Sequence, residues 1–252
     1  MFMRRERRLA LFLGLVMVCT GIRAQGNIIE IAAEDGLPAM SVYYPSEHCP
    51  EEGFPILYLF HGIRGNHTAW ARNGRVREVV DSLIAAEEIE PIVIVMPYCF
   101  TRTREDQINH IFTRYDDLVK GRFERLFPAL MARIESSFPI AQDCSKRFIA
   151  GLSSGARQAL NLADTARCCV VGLLSPVLAR REYPTPHDKM PLYWIATGNG
   201  DAFRAETKHL ARYLDTQAMP YRLEYVEGKH NWQVWAPVLP EFLKAVVGKG
   251  KL

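Results

Sequence analysis

The sequence contains no Cys-x-x-Cys pair and no cysteine–histidine spacing of the zinc type. A thioredoxin-like redox centre and a structural zinc site are therefore not expected, and no metal or other cofactor is called for. Internal repeats and low-complexity tracts are also missing, which argues against solenoids and tandem arrays. The one extended apolar run near the start, Leu9 to about Ile22, falls short of the roughly 20 residues that a membrane-spanning helix needs. There is no long apolar insertion that could build a separate lid. Strong net charge is lacking too. The total is +3 over 252 residues, and residues 1–24 alone carry +4, which leaves −1 for the remainder. The basic balance belongs to the first segment and gives no support for nucleic-acid binding. What is left has ordinary globular composition, 48% hydrophobic and 23% charged, and suits a single α/β domain.

Residues 1–24 have the three-part layout of a secretory signal. Arg4, Arg5, Arg7 and Arg8 come first, an almost purely apolar stretch follows from Leu9 to Val18, and small and polar residues lead to Arg23-Ala24-Gln25. Cleavage is expected after Ala24, so 1–24 reads as a signal peptide and 25–252 as one domain, secreted or periplasmic, with no stable membrane insertion afterwards. Cys19 follows Val18, whereas a lipid-attachment site would want a small residue there. Export permits disulfides. Cys49, Cys99, Cys144, Cys168 and Cys169 remain, an odd number, so at least one is unpaired or pairs outside the chain. Cys168 and Cys169 lead into an apolar run and read as small core hydrophobes.

Beyond the leader, short apolar runs bounded by turn residues alternate with helical periodicity. Ile28–Ala32 and Ala39–Tyr44 read as a hairpin around Asp35-Gly36. Strands are predicted at Ile56–Phe60, Ile92–Met96, Phe148–Leu152, from Cys169, at Leu192–Thr197 and at Tyr221–Val226. Helices are predicted at Val76–Glu87, Tyr115–Ser137, from Ser154, at Phe203–Thr216 and at Trp235–Val247. Strands alternating with crossover helices imply a mainly parallel central sheet with helices on both faces. Ligands in such sheets sit at the carboxyl ends of the strands.

The segment Gly151-Leu152-Ser153-Ser154-Gly155 follows an apolar run and precedes a helical pattern. That context makes Gly-x-Ser-x-Gly a candidate nucleophile elbow, in which a serine sits on a strained strand-to-helix turn and small neighbours let the chain bend. Serine needs a base. His230, in the polar loop after the last strand, is the candidate, and Asp201, in the Gly-rich turn Thr197–Asp201, is the acid that would hold its tautomer. The order Ser153, Asp201, His230 is that of α/β-hydrolases. An oxyanion hole needs backbone donors, and Ile63 and Ser154 are placed to supply them. Trp232, beside His230, and Trp70 are candidate substrate-stacking residues, while Trp235 reads as core. His61 ends a strand and reads as a loop-shaping hydrogen-bonder. Arg102, Arg104 and Arg114 are interleaved with acidic residues and read as a solvated loop.

Three segments together resemble the esterase-D-like esterases of the α/β-hydrolase superfamily, a group that includes tributyrin-type, feruloyl and acetyl-xylan esterases and S-formylglutathione hydrolase. They are Leu59-Phe60-His61-Gly62-Ile63-Arg64-Gly65-Asn66-His67-Thr68-Ala69-Trp70, Phe148 to Gly155, and Gly228 to Trp235 running into Leu239–Leu243. The resemblance implies the same three catalytic residues and the same two donors. It departs at Ser154 and Ala156, where the family usually has methionine and a second glycine, and the Tyr98–Asp117 loop matches no subgroup. The resulting expectation is a secreted serine carboxylic-ester hydrolase acting on short acyl, acetyl or hydroxycinnamoyl esters, small or attached to plant polysaccharide. Acyl transfer to a sugar hydroxyl and a catalytically inactive carbohydrate-binding relative are the alternatives.

Overall fold

The computed structural model describes residues 25–99 and 122–249. The expected signal peptide, Cys19, Arg102, Arg104, Arg114 and the start of the helix predicted from Tyr115 lie outside the described residues. Eight strands form one sheet: β1 (Asn27–Ile31), β2 (Met40–Tyr44), β3 (Ile56–Phe60), β4 (Val93–Pro97), β5 (Arg147–Leu152), β6 (Val170–Leu174), β7 (Leu192–Gly198) and β8 (Tyr221–Val226). Their spatial order is β1-β2-β4-β3-β5-β6-β7-β8. The pairs from β4 through β8 are parallel, and β1 and β2 are antiparallel additions at one edge. The expected mainly parallel sheet is therefore present.

The opening hairpin turns where the residue types demand it. Asp35 and Gly36 both have positive φ, 52° and 79°, and Glu34 and Leu37 exchange backbone hydrogen bonds of 3.2 and 2.9 Å across them. This left-handed pair matches the twist of the flanking strands.

Six helices are described: α1 (Ala69–Arg72), α2 (Val76–Ala85), α3 (Arg122–Ser137), α4 (Ser154–Ala166), α5 (Arg204–Thr216) and α6 (Trp232–Val247). Alternation along the central strands divides the core between two faces. In β3, Ile56, Tyr58 and Phe60 join Phe123, Phe127 and Leu130 of α3 and Leu210 of α5 in one cluster, with α4 on the same face. Leu57 and Leu59 point the other way, into a cluster with Val80 of α2 and Val238, Leu239 and Phe242 of α6. Burial on both faces is why the central strands read as continuous apolar runs. The edge strand β8 has only half-buried and exposed positions instead.

Two expectations shift. The last helix begins at Trp232, three residues before the predicted start. Asn231 caps it by accepting from the Gln233 amide at 3.0 Å, a signal the apolar periodicity does not carry. As its predicted span requires, that helix continues through Pro237 and Pro240, because eight of its residues are buried against the sheet and hold it in place. All five described cysteines are free, so there is no disulfide among the described residues. Cys168 and Cys169, expected as core hydrophobes, are only half-buried at the margins of the two clusters, whereas Cys99 is fully buried and Cys144 is exposed.

Candidate active site

Ser153 follows β5 directly and caps α4 with φ 55° and ψ −121°. That conformation is costly for a residue with a Cβ, on the order of 1–3 kcal/mol, and has to be held by its surroundings. The Ser153 amide donates to the Leu174 carbonyl of β6 at 2.8 Å, which pins the turn to the sheet. The flanking glycines are required by close approach. A Cβ at Gly151 would lie 2.3 Å from the Gly155 carbonyl oxygen, and one at Gly155 would lie 2.3 Å from the His61 carbonyl oxygen.

The other two candidates arrive on loops that are tied together. After β7, the Gly200 amide donates to the Gly228 carbonyl after β8 at 2.8 Å. This bond sets Asp201 beside His230. The two Asp201 carboxylate oxygens lie 3.1 and 3.0 Å from His230 Nδ1, and His230 Nε2 lies 2.9 Å from Ser153 Oγ. Asp201 Oδ1 also accepts from the Phe203 amide at 2.8 Å, so the carboxylate is held from two sides. The Asp201 side chain has no exposed surface and that of His230 is 22% exposed. Phe203 and Trp235 pack edge-on against the imidazole at 4.9 and 5.0 Å between ring centroids. A carboxylate, an imidazole and a hydroxyl in this sequence can move a proton from serine to histidine while the acid holds Nδ1–H. Ser153, Asp201 and His230, 77 residues apart at the extremes, are thus brought into one chain of hydrogen bonds.

The loop after β3 lies beside them. His61 is buried, and its Nε2 accepts from the Cys99 amide at 3.3 Å. Nδ1 therefore carries the proton and donates to the Gly62 carbonyl at 2.8 Å. The Gly65 amide donates to the same carbonyl at 3.0 Å. Because the Gly62–Ile63 peptide is planar and trans, clamping its C=O aims the Ile63 N–H to the opposite side. That N–H meets Ser154 Oγ at 2.7 Å. Burial lowers the His61 pKa to about 4, so the ring stays neutral and keeps this tautomer.

The tryptophans separate into different roles. Trp232 and Trp235 line a cleft of about 310 Å³ that also includes Ile63, Leu152, Ser153 and His230. Trp70 is not part of its lining. Its ring is buried, its Nε1–H donates to the Phe60 carbonyl at 3.0 Å, and its edge packs on Trp232 at 5.0 Å. The expectation that Trp70 contacts substrate is corrected accordingly: it braces the strand that carries the His61 loop. Trp235, expected as core, is buried and also walls the cleft. His61 takes the loop-shaping role read from its place at a strand end, whereas the bond of the Ser154 side chain was not legible from spacing, because its partner lies 91 residues away. A larger cavity of about 1150 Å³ lies by Arg147, Cys169 and Pro191, at the amino ends of β5, β6 and β7. In parallel sheets the chemistry sits at the opposite edge.

The family model described as "Putative esterase" matches residues 35–194. The chain belongs to this esterase family. A curated relative of the esterase, named endo-1,4-beta-xylanase/feruloyl esterase, from Xylanibacter ruminicola, is 33% identical over 106 residues, which is 42% of this chain. The match spans only 14% of that relative's length. Among solved structures, the esterase is similar to a ferulic acid esterase, with TM-score 0.73, 19% identity and coverage of 88% of this chain and 98% of the other. It is also similar to a ferulic acid esterase from Anaeromyces mucronatus in complex with ferulic acid, with TM-score 0.74, 15% identity and coverage of 90% and 92%. S-formylglutathione hydrolase from Staphylococcus aureus matches with TM-score 0.69, 14% identity and coverage of 87% and 98%. These likenesses establish the α/β-hydrolase fold for the esterase.

Proposed function

We propose that the esterase is an exported serine carboxylic-ester hydrolase with Ser153 as nucleophile, His230 as general base and acid, and Asp201 as the group that orients His230. The observation that carries this reading is the unbroken relay of 3.0 Å from Asp201 to His230 and 2.9 Å from His230 to Ser153. Ser153 Oγ attacks the acyl carbon as its proton passes to His230 Nε2. The carbonyl oxygen becomes an alkoxide, held by the backbone amides of Ser154 and Ile63. Collapse expels the alcohol, which takes the proton from His230 and leaves an acyl-serine. Water then gives its proton to His230, attacks the acyl carbon, and the acid departs as Ser153 regains its proton.

The substrate class follows from the cleft and the relatives. About 310 Å³ is near the small end for ligand pockets and accommodates a short or flat acyl group. Trp232 and Trp235 offer flat apolar walls, which favours a hydroxycinnamoyl ring or an acetyl group over a long chain. The relative's feruloyl esterase name and the ferulic acid complex of a structural neighbour support the same class. The leader-like residues 1–24 support export, where esters on plant polysaccharide are accessible. The test is hydrolysis of 4-nitrophenyl acetate and methyl ferulate by wild type and Ser153→Ala. Loss of turnover in the variant is expected, and equal rates would end the proposal. The ratio of the two substrates decides the acyl class.

A further inference from the structure

The Ile63 amide, one of the two proposed oxyanion donors, is already engaged in the resting protein. It donates to Ser154 Oγ at 2.7 Å, and Ser154 is only 8% exposed. Covalent geometry keeps a serine Oγ within about 4 Å of its own amide nitrogen. The Ser154 hydroxyl holds at rest the Ile63 N–H that the oxyanion requires. An oxyanion must lie within about 3 Å of each donor, so it competes with this hydroxyl for the Ile63 N–H. One N–H in a short hydrogen bond does not serve a second oxygen at full strength.

We propose that the Ser154 hydroxyl is a tethered occupant of the oxyanion hole, which must rotate about its Cα–Cβ bond and release the Ile63 N–H before the acyl oxygen can be held by both amides. The inference rests on the serine-hydrolase reading above. Among the described residues, Ile63 is the hydrogen-bond partner of this hydroxyl. The bond has two opposed consequences. At rest it satisfies the half-buried Ile63 amide and ties the loop after β3 to the start of α4. During reaction it is a bond to be broken first, and a stronger charge-assisted bond to the alkoxide replaces it. Removing the hydroxyl should therefore lower stability and raise reactivity, whereas a purely structural bond would lower both.

The test compares wild type, Ser154→Ala and Ser153→Ala. The readouts are kcat/KM on 4-nitrophenyl acetate, the rate of Ser153 labelling by a fluorophosphonate, and the melting temperature. Ser154→Ala is expected to raise both rates about three- to tenfold, the worth of one neutral hydrogen bond. Its melting temperature is expected to fall by about 2–4 °C. Unchanged or lower rates, with wild type active, overturn the inference. If alanine does not fold, Ser154→Cys, whose thiol is a weaker acceptor, is read in the same assays and should be faster than wild type. Equal hydrolysis by wild type and Ser153→Ala marks failure of the hydrolase reading itself, and this inference falls with it.

Discussion

Replacing Gly155 with alanine perturbs the contact on which the candidate site is built. A Cβ at this position would lie 2.3 Å from the His61 carbonyl oxygen and 2.7 Å from that of Phe60. Ordinary contact begins near 3.4 Å, so α4 and the end of β3 would have to separate by about 1 Å. Both obstructing atoms are backbone, at the last residue of β3 and the residue after it, and neither can swing aside. Helix propensity pulls the other way, since alanine gains about 1 kcal/mol over glycine inside a helix. Overpacking costs about 1–3 kcal/mol, so the net expectation is a modest loss of stability. The functional loss should be larger. Ser153 and Ser154 ride on the start of α4, while Ile63 follows β3, so the separation opens between the nucleophile and one oxyanion donor. A misplacement of about 1 Å can lower turnover about 100-fold. Turnover of 4-nitrophenyl acetate, measured alongside thermal unfolding, checks this. Wild-type turnover with an unchanged melting temperature would refute the packing argument.

Asp201→Asn leaves the shape of the buried relay intact but presents an N–H where Nδ1–H of His230 needs an acceptor. Turnover should fall about 10⁴-fold at neutral pH with little change in melting temperature, and retained turnover would remove Asp201 from the mechanism. His61 provides a pH test of stability. Its folded pKa of about 4 lies below the unfolded value of 6.5, so as pH falls the unfolded chain takes up the proton first. The contribution is complete above about pH 6.5 and is lost progressively down to about pH 4, for a total of about 3 kcal/mol. Urea unfolding between pH 7 and pH 4 should show this slope, and His61→Gln should flatten it. An identical slope in the variant would place the titration elsewhere.

Most of the architecture was legible in the sequence because it rests on local order. Short continuous apolar runs marked the strands, and period-3.6 apolar patterns marked the helices. Asp35-Gly36 marked its own turn through the left-handed backbone it tolerates. Gly151 and Gly155 marked the elbow because the absence of a side chain there is itself the signal. The boundary that moved, at the start of the last helix, is set by polar capping at Asn231. The meeting of Ser153, Asp201 and His230 could be anticipated because each follows a strand in the order one fold uses.

The sequence alone therefore determined which residues could form a parallel sheet and which chemistry could stand at its carboxyl edge, since both follow from residue type and spacing along the chain. Only the tertiary structure decided what those residues touch. It turned Trp70 inward to hold the Phe60 carbonyl, set His61 between the Gly62 carbonyl and the Cys99 amide, and laid the Ser154 hydroxyl on the Ile63 N–H. The physical reason is range. A hydrogen bond is made or lost within a few tenths of an ångström, and separations between segments 38 or 91 residues apart are set by how both faces of the sheet pack, not by any local pattern.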